Sequence, residues 1–458
     1  MYLSRVYLHN IKSFGEVSLE LIRPDGSYAG WTVLAGRNGS GKTTLLRAVS
    51  LAVSGPAAAR SLMPGFENWV AHGERSASAE VELAHDPRYD RFAQGRRPSG
   101  PFWAGLEWKL PPESGGGRGK PGRVVQPSLE AVNYTGAKTI TAQRGPWADN
   151  PEGWFCAAYG PFRRLVGGSG EVQRLMLASG PVARQTSLFH EDASLSEGVT
   201  WLIEQHLRAL ERREGADELL AAALEILGDD LLPDGCRIET VDSEGLWVTH
   251  QGRRFPLREM SDGYRTVAAL VVDILKQIYD AYGELFVFRD EETEIPTADY
   301  AGVVIIDEID AHLHVSWQRR IGSWLTSHFP SIQFIVTTHS PYICQSADPG
   351  GLIRLPGTEE EGQVEKVSPD VYDRVVYGSG DDAVLSYLFG LDTPYSEKAE
   401  RKRSELVALE MSVLRGRASD EQRRRYRELK RKLVSSPAAR VDEVAARLRD
   451  RADDEWPS

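Results

Sequence analysis

A glycine-rich segment near the start of the printed sequence, GRNGSGKTT at residues 36–44, contains residue types that bind phosphate groups. We refer to it as the P-loop. In its pattern, Gly-x-x-x-x-Gly-Lys-Thr, glycines let the backbone wrap around phosphates with its N–H groups pointing inward. We expect Lys42 to contact the outer phosphates of ATP and Thr43 to bind Mg²⁺. The nucleotide-binding residues predicted here are Gly36, Asn38, Gly39, Ser40, Gly41, Lys42, Thr43 and Thr44.

Two carboxylates follow four apolar residues in the segment VVIIDEID, residues 303–310. A carboxylate at the end of a buried strand is costly unless it meets a cation. We therefore expect Asp307 to hold Mg²⁺ and Glu308 to polarise the attacking water. Without the P-loop, the same pattern would be an ordinary strand ending in a charged turn.

A histidine ends a second apolar run, FIVTTHSP at residues 334–341. His339 lies 32 residues after Asp307, which leaves room for one helix and one strand between them. The two should therefore reach the same edge of a sheet, where a neutral imidazole can sense the γ-phosphate. The alternative is a structural histidine, which is the more common role of an isolated one.

The elements that must position these residues alternate along the chain. Residues 31–36 predict a short strand before the P-loop, and residues 42–53 predict a helix after it. Apolar strands and helices alternate over residues 265–345, which favours a mostly parallel sheet. Residues 2–8 and several stretches within 75–165 have the alternation of further strands, so a second β unit is expected.

Other segments indicate helices, a hairpin and a loop. Ser194 and Glu197 have capping-box spacing and open two helical stretches that end at Gly228. Paired strands are predicted for residues 236–257, and one helix is predicted for SWQRRIGSWLTSHF at 316–329. Residues 111–123 are rich in glycine and proline and predict a loop.

The composition limits the class of protein. The 458 residues are 41% hydrophobic and 26% charged, which fits two or three compact units of a soluble protein. A net charge of −12 argues against nucleic-acid coating by the whole surface and leaves room for a local basic groove.

The three cysteines form no zinc pattern, and reduced thiols in a cytoplasmic protein fit them best. No apolar run approaches the roughly 20 residues that span a bilayer, so we expect no membrane association, and the first residues lack a signal-peptide core.

A polar segment, MSDGYR at residues 260–265, opens the helix that precedes the acidic strand. Ser261 and Asp262 would suit an ordinary helix N-cap. Together with the other motifs in this order, however, the segment resembles the signature of the ABC-type ATPases of the SMC, RecF and OLD group. That resemblance implies a second phosphate-binding helix start built from Ser261, Asp262, Gly263 and Arg265, facing the P-loop of another protomer. It also implies a head-to-tail homodimer, or a higher even oligomer, with ATP between the heads.

The resemblance can be narrowed by the longer segments. The residues AAYGPFRRL (157–165), MSDGYRTVAALVVDI (260–274) and the stretch from 303 to 341 look like the compact ATPases of bacterial anti-phage defence, in Septu and Septu-like retron systems. This implies a partner, an HNH nuclease encoded separately, that the ATPase controls. We read no nuclease domain on this chain, because no Toprim or HNH pattern follows His339.

The expected fold is α/β: an ABC-type P-loop ATPase head with a mixed or parallel core sheet, an antiparallel β subdomain, a helical lid insertion and a helical C-terminal region. The predicted segments are 1–165 (ATPase lobe I), 166–258 (lid and β-hairpin), 259–367 (ATPase lobe II) and 368–458 (partner-binding helices).

Several residues keep more than one interpretation. Asn10 and Lys12 resemble the first-strand turn that lies near the nucleotide in related heads. Gln173 is one candidate for the glutamine of the Q-loop, and the YGPFRRL segment is another. That second choice would bring Arg163 or Arg164 near the nucleotide, although Arg163 could equally be a surface cation. His312 and His314 have a spacing that suits no metal site by itself.

Two other functions stay open at this point. Residues 397–432 contain 13 Lys/Arg against 7 Asp/Glu, a local charge of +6 on an acidic protein. A RecF-like repair ATPase that binds DNA directly would use such a surface. The same helices could instead make the chain an assembly scaffold that docks a nuclease while the ATPase acts as a slow timer.

Overall fold

A computed structural model of the protein describes most of the chain, with two compact units at residues 1–390 and 391–458. The described residues are 1–93, 95, 97–112, 125–134, 138–163, 169–177, 180–357, 360, 362–389, 393 and 395–433, with only the backbone of 138–140 and 171. The four segments expected from the sequence remain a prediction.

The elements within the described residues are as follows. The strands are β1 (Tyr2–Ile11), β2 (Phe14–Glu20), β3 (Gly30–Gly36), β4 (Ser76–Ala84), β5 (Phe102–Lys109), β6 (Ser128–Ala131), β7 (Cys156–Tyr159), β8 (Arg237–Asp242), β9 (Gly245–His250), β10 (Arg253–Pro256), β11 (Phe288–Arg289), β12 (Pro296–Thr297), β13 (Gly302–Ile306), β14 (Ile332–Thr338), β15 (Leu352–Leu355) and β16 (Glu365–Lys366). The helices are α1 (Lys42–Leu62), α2 (Lys138–Arg144), α3 (Gly170–Met176), α4 (Pro181–Phe189), α5 (Ser196–Leu210), α6 (Ala216–Leu227), α7 (Asp262–Tyr282), α8 (Val315–Gln318), α9 (Ile321–His328), α10 (Pro341–Cys344), α11 (Pro369–Val376), α12 (Gly380–Val384), α13 (Glu397–Leu414) and α14 (Asp420–Lys432).

A six-stranded sheet in the order β16-β15-β3-β14-β13-β7 forms the core of the first unit. Its strands pair in parallel except for β16, which is antiparallel to β15. β13 and β14 are buried along their whole lengths, as their continuous apolar runs predict. Because parallel strands end at the same edge, β3, β13 and β14 bring the P-loop, the acidic pair and His339 to one place.

A second sheet of the first unit is antiparallel, in the order β2-β1-β4-β5-β6. Its buried residues share one hydrophobic core with α1 and with one face of the core sheet. On the other face of the core sheet, a separate hydrophobic core joins α5, α6 and α7 to the small sheet β10-β9-β8. The α/β head with an antiparallel β subdomain and a helical insertion, expected from the sequence, is confirmed.

The helix after the P-loop, α1, contains a break. Gly55 has non-helical torsions (φ 82°, ψ 173°), and Pro56 follows it. The indole N–H of Trp147 donates to the carbonyls of Ala52 and Val53, both at 3.1 Å. A Cβ at Gly55 would lie 2.5 Å from the Trp147 ring, so the break requires glycine.

The second unit contains the helical pair α13 and α14. Arg425 of α14 donates to both carboxylate oxygens of Glu405 on α13, at 2.7 and 3.2 Å. Tyr426 Oη donates to Glu410 Oε1 at 2.9 Å, and a Ser419–Gln422 capping box begins α14. The helical C-terminal region is therefore confirmed for the described part of the chain.

Three local predictions differ from the structure or fall outside it. The capping box at Ser194 and Glu197 is wrong: α5 begins after Leu195, and Ser194 Oγ accepts from the Ser196 N–H at 3.2 Å. The single helix expected at 316–329 is two short helices, α8 and α9, separated at residues 319–320. Most of the loop expected at 111–123 lies outside the described residues.

Candidate nucleotide-binding site

The P-loop joins the end of β3 to the start of α1, the context its motif requires. Gly39 and Gly41 have left-handed torsions, with φ of 81° and 86°. A Cβ at Gly41 would lie 2.4 Å from Cζ of Phe14, so the loop can follow this path only with glycine there. Gly41 caps α1 without a side-chain hydrogen bond, which leaves the first-turn N–H groups available to an anion.

The lysine of the P-loop is folded back over its own loop. Lys42 Nζ donates to the carbonyl oxygens of Gly36 at 2.8 Å and Arg37 at 2.9 Å. Burial lowers the pKa of Lys42 to about 8, against the opposing effect of Asp307 and the other nearby carboxylates. Ser40 Oγ is also buried, with no hydrogen-bond partner in the described part of the chain. A buried ammonium and an unpaired hydroxyl are groups that phosphate oxygens would satisfy.

Two hydroxyls and a carboxylate meet beside the P-loop. Thr43 Oγ1 donates to Asp307 Oδ2 at 2.6 Å, and Thr337 Oγ1 donates to Asp307 Oδ1 at 2.5 Å. Asp307 is 1% exposed. A hydroxyl and a carboxylate oxygen are the hard ligands that Mg²⁺ takes when substrate phosphates and water complete its shell. Among the described residues, no cluster of three or more His, Cys, Asp and Glu side chains could hold a metal by itself.

Glu308 follows Asp307 in a conformation that is rare for glutamate. Its φ is 47°, in the left-handed region, and its N–H donates to Thr337 Oγ1 at 2.7 Å. Burial raises the pKa of Glu308, and the charges of Asp307 and Asp310 raise it further. A carboxylate with a raised pKa is a better proton acceptor near neutral pH.

His339 follows β14 at the same edge of the core sheet, because β13 and β14 pair in parallel up to Ile306 and Val336. Burial lowers the pKa of His339, and the Lys42 ammonium lowers it further, so the imidazole is neutral at pH 7. The backbone N–H of His339 donates to Asp310 Oδ1 at 3.3 Å. A neutral ring near Lys42 and the acidic pair is what the sequence predicts.

The predicted signature segment forms the start of α7. Ser261 is the exposed N-cap residue and makes no capping bond with its side chain. Arg265 forms an ion pair with Asp262 and donates to the Arg258 carbonyl. In the described chain, none of the hydrogen bonds or ion pairs of this segment reaches the P-loop of the same chain. Gly263 packs against the loop after the acidic pair, because a Cβ there would lie 2.4 Å from the His312 carbonyl oxygen.

Asn10 lies near the end of β1 and Lys12 lies in the turn between β1 and β2, and both have left-handed torsions. Lys12 Nζ lies 5.3 Å from the centroid of the Trp69 ring, and burial lowers the pKa of Lys12. Phe14, at the end of the same turn, contacts Gly41 of the P-loop. The turn therefore adjoins the P-loop, and a direct role of Asn10 and Lys12 in nucleotide binding remains a prediction.

The sequence left the position of Arg163 open. It is 2% exposed, so the interpretation as a surface cation is wrong. Its guanidinium donates to carbonyl oxygens of the turn that holds the acidic pair. Arg164 lies outside the described residues, and Gln173 is exposed on α3.

Two further positions have structural roles in the described chain. The ring of His314 accepts from the Ser316 N–H and caps α8. His312 has φ of 66° and turns its carbonyl toward Gly263. Thr337 was not singled out in the sequence, although its place in the TTH segment before His339 is the signal that would have found it.

Two family models match parts of this chain. Residues 5–93, which include the P-loop, match the family described as "AAA domain". Residues 202–345, which include the signature segment, the acidic pair and His339, match the family described as "AAA domain, putative AbiEii toxin, Type IV TA system".

Curated relatives include Septu and retron proteins. The Septu protein PtuA of Bacillus mycoides (strain KBAB4) is 23% identical over 376 residues, which cover 80% of this chain and 42% of that protein. The Retron Ec83 probable ATPase of Escherichia coli is 40% identical over 90 residues, which cover 20% of this chain and 15% of that protein. The chain thus spans less than half the length of these relatives.

Solved structures with a similar fold include SMC heads. The SMC head domain from Thermotoga maritima has a TM-score of 0.39 and 15% identity, over 80% of this chain and 100% of that chain. An SMC head bound to the C-winged helix domain of ScpA has a TM-score of 0.44 and 15% identity, over 81% of this chain and 98% of that chain.

A search of the described helices finds none that is long and apolar enough to cross a membrane. The ordered motifs, their meeting at one edge of the core sheet and the two AAA-domain matches lead to one conclusion. This chain has a fold of the ABC-type ATPase-head class, matches two AAA-domain models over parts of its length, and is similar to the Septu protein PtuA and to a retron probable ATPase.

Proposed function

We propose that the chain binds and hydrolyses ATP, dimerises head to tail, and regulates an associated HNH nuclease in anti-phage defence. The observation that carries the proposal is the contact of Thr43 with Asp307 beside Glu308. It joins the P-loop to the acidic strand across 264 residues of sequence. A structural role alone would not require a hydroxyl, two carboxylates and a buried lysine at one point.

Different residues of the chain would bind the phosphates, hold Mg²⁺ and act on the attacking water. The first-turn N–H groups of α1 and Lys42 would bind the phosphates, displacing the lysine from the loop carbonyls. Thr43 and Asp307 would hold Mg²⁺, which supplies charge neutralisation on the phosphate oxygens. Glu308 would accept a proton from the attacking water, and neutral His339 would donate a hydrogen bond to the γ-phosphate. The products are ADP and inorganic phosphate.

Dimerisation is supported by the signature segment. Ser261 and the start of α7 are exposed and lie at the N-terminus of a 21-residue helix. Such a helix start attracts phosphate, yet its hydrogen bonds and ion pairs within the described residues do not involve the P-loop of the same chain. A second protomer would supply the nucleotide, so two ATP molecules would lie between two heads.

The nuclease partner is the finer part of the proposal. It is supported by the likeness to a Septu protein over 80% of this chain. The second unit, with α13 and α14, offers a charged surface on which such a partner would dock.

The experiment that tests hydrolysis compares two substitutions with a matched control. Glu308→Gln removes the proton acceptor and keeps the shape, so ATP binding stays while turnover falls by about 10²–10³-fold. Lys42→Ala abolishes ATP binding. Glu291→Gln changes an exposed glutamate away from the site and leaves both unchanged. Phosphate release and binding of a fluorescent ATP analogue are measured for each, and normal turnover by Glu308→Gln would refute the assigned role.

The assembly is tested by native mass spectrometry of the protein isolated with ATP and Mg²⁺. The expected species is an even number of ATPase chains with a second polypeptide of HNH-nuclease size. A bare monomer with ATP bound would contradict both the dimer and the partner.

A RecF-like DNA-binding ATPase is the second candidate, and the local charge of +6 over residues 397–432 favours it. It predicts hydrolysis stimulated by DNA and binding that weakens steeply with salt. DNA-stimulated turnover in the absence of a nuclease partner would replace the first proposal by this one.

A further inference from the structure

The guanidinium of Arg163 is surrounded by backbone carbonyls. Nη1 donates to Gly160 at 3.0 Å and to Asp307 at 2.9 Å. Nη2 donates to Glu308 at 3.1 Å and to Ile309 at 3.3 Å. One side chain thus holds three successive carbonyls of the turn that contains the proposed proton acceptor.

Thr337, near the end of the neighbouring strand β14, forms hydrogen bonds with the same turn. Its hydroxyl donates to the Asp307 carboxylate and accepts from the Glu308 N–H. Glu308 meanwhile adopts a φ of 47°, a left-handed conformation that is strained for a non-glycine residue and persists only when its surroundings enforce it. Arg163 and Thr337 provide that enforcement, because they bind the carbonyl and the amide of the same residue.

Arg163 is too deeply buried to act as a surface cation. Burial lowers the pKa of Arg163 to about 10, and the charges of Asp310, Asp307 and Glu308 oppose this effect. The group therefore keeps its charge at neutral pH. It borders a small cavity together with Thr266, Val267 and Leu270 of α7, so it lies between the acidic turn and the signature helix.

We propose that Arg163 and Thr337 are positioning residues that hold Glu308 in its left-handed conformation and so direct its carboxylate to the water. This rests on the proposed hydrolysis. Lysine cannot reproduce the planar fork that spans several carbonyls, so Arg163→Lys keeps the charge and loses the geometry. Thr337→Val keeps the shape and leaves the Glu308 N–H and an Asp307 oxygen without this partner.

The test measures kcat, KM and the Kd for a fluorescent ATP analogue on the full chain. Because a misplaced catalytic group costs turnover more than binding, we expect kcat to fall about 10–100-fold in Arg163→Lys and in Thr337→Val. The Kd should change by less than about threefold, and Thr337→Ser, which keeps the hydroxyl, should restore turnover.

Matched controls separate positioning from stability. Arg23 is also buried and donates to the carbonyls of Ala29 and Trp31, away from the acidic turn. Thr326 donates only to carbonyls of its own helix region. Arg23→Lys and Thr326→Val should therefore lower the melting temperature without lowering kcat of the folded fraction.

Each outcome has one meaning. Normal kcat in Arg163→Lys and Thr337→Val, or an equal loss in Arg23→Lys, overturns the positioning role. A loss of ATP affinity with unchanged kcat would make Arg163 a nucleotide-binding residue instead, and also overturns it. A wild-type protein that binds but never hydrolyses ATP refutes the proposed function, and the positioning role with it.

Discussion

The pKa of Lys42 leads to a prediction of how the affinity for ATP depends on pH. In the structure described here, burial lowers the pKa of this ammonium to about 8, while Asp307, Glu308 and Asp310 partly oppose the shift. Phosphates bound at the P-loop would add negative charge beside it and raise its pKa. ATP binding should therefore take up a proton above pH 8, and affinity should fall as the pH rises.

The size of the effect follows from the fraction of charged lysine. At pH 7 about nine in ten Lys42 side chains are charged, and at pH 9 about one in eleven is charged, for a pKa of about 8. If only the charged form binds phosphate well, the Kd for ATP should rise about tenfold between pH 7 and pH 9. The buried thiol of Cys156, with a pKa raised to about 12, does not titrate in this range.

The assay is isothermal titration of ATP and Mg²⁺ into Glu308→Gln, in which hydrolysis does not interfere. Titrations at pH 7, 8 and 9 in two buffers of different ionisation enthalpy give the Kd and the number of protons taken up. Lys42→Arg is the control, because arginine remains charged at pH 9 and should give a flat pH dependence. A flat Kd in the lysine-containing protein, or the same slope in Lys42→Arg, would refute the assignment to Lys42.

Two further predictions concern the signature helix and the second unit. Gly263→Ala places a Cβ 2.4 Å from the His312 carbonyl oxygen, so the start of α7 must shift. We expect a turnover loss of about tenfold and a weaker dimer with ATP binding intact, measured by phosphate release and native mass spectrometry. Gly170→Ala, in open space, is the control, and an equal loss there would contradict the reasoning. Deleting residues 397–458 should leave the turnover of the head intact and abolish partner capture in a pull-down. Loss of DNA binding instead would support the RecF-like alternative.

The sequence predicted which motifs lie at one edge of the core sheet, because chemistry and spacing coincide there. The P-loop glycines, the carboxylates after β13 and His339 after β14 each follow an apolar run that can only be a buried strand. Parallel pairing then brings the strand ends together, so the approximate site follows from the order of the motifs. The Gly283 that ends α7 is likewise left-handed, as a glycine after a helical run predicts.

The sequence could not reveal the role of Arg163, because its partners are backbone carbonyls. A carbonyl is the same in every residue, and that of Asp307 lies 144 positions away. The pattern FRR therefore fits a buried clamp and a surface cation equally well. Only the packing of β7 beside β13 decides between them.

Local patterns also failed where tertiary packing overrides them. The helix expected at 316–329 is interrupted at residues 319–320, between α8 and α9. Gly322 on α9 approaches Trp31 and Ser346 so closely that a Cβ would lie 2.7 Å from Ser346 Oγ, whereas Gln318 on α8 accepts a hydrogen bond from Ser340. The capping box predicted at Ser194 is not formed, because Leu195 is buried in the core at the position where α5 begins.

The break in α1 provides a spectroscopic probe for movement of this helix. Pro56 has no N–H and Gly55 is not helical, so the carbonyls of Ala52 and Val53 take the indole N–H of Trp147 instead. That indole proton should give an NMR resonance sensitive to the spacing of the two carbonyls. If a rearrangement at Lys42 travels the length of the helix, the resonance shifts on addition of ATP. If the break absorbs the rearrangement, the chemical shift of the indole proton does not change. The antiparallel sheet beyond the break then does not respond to the nucleotide through this helix.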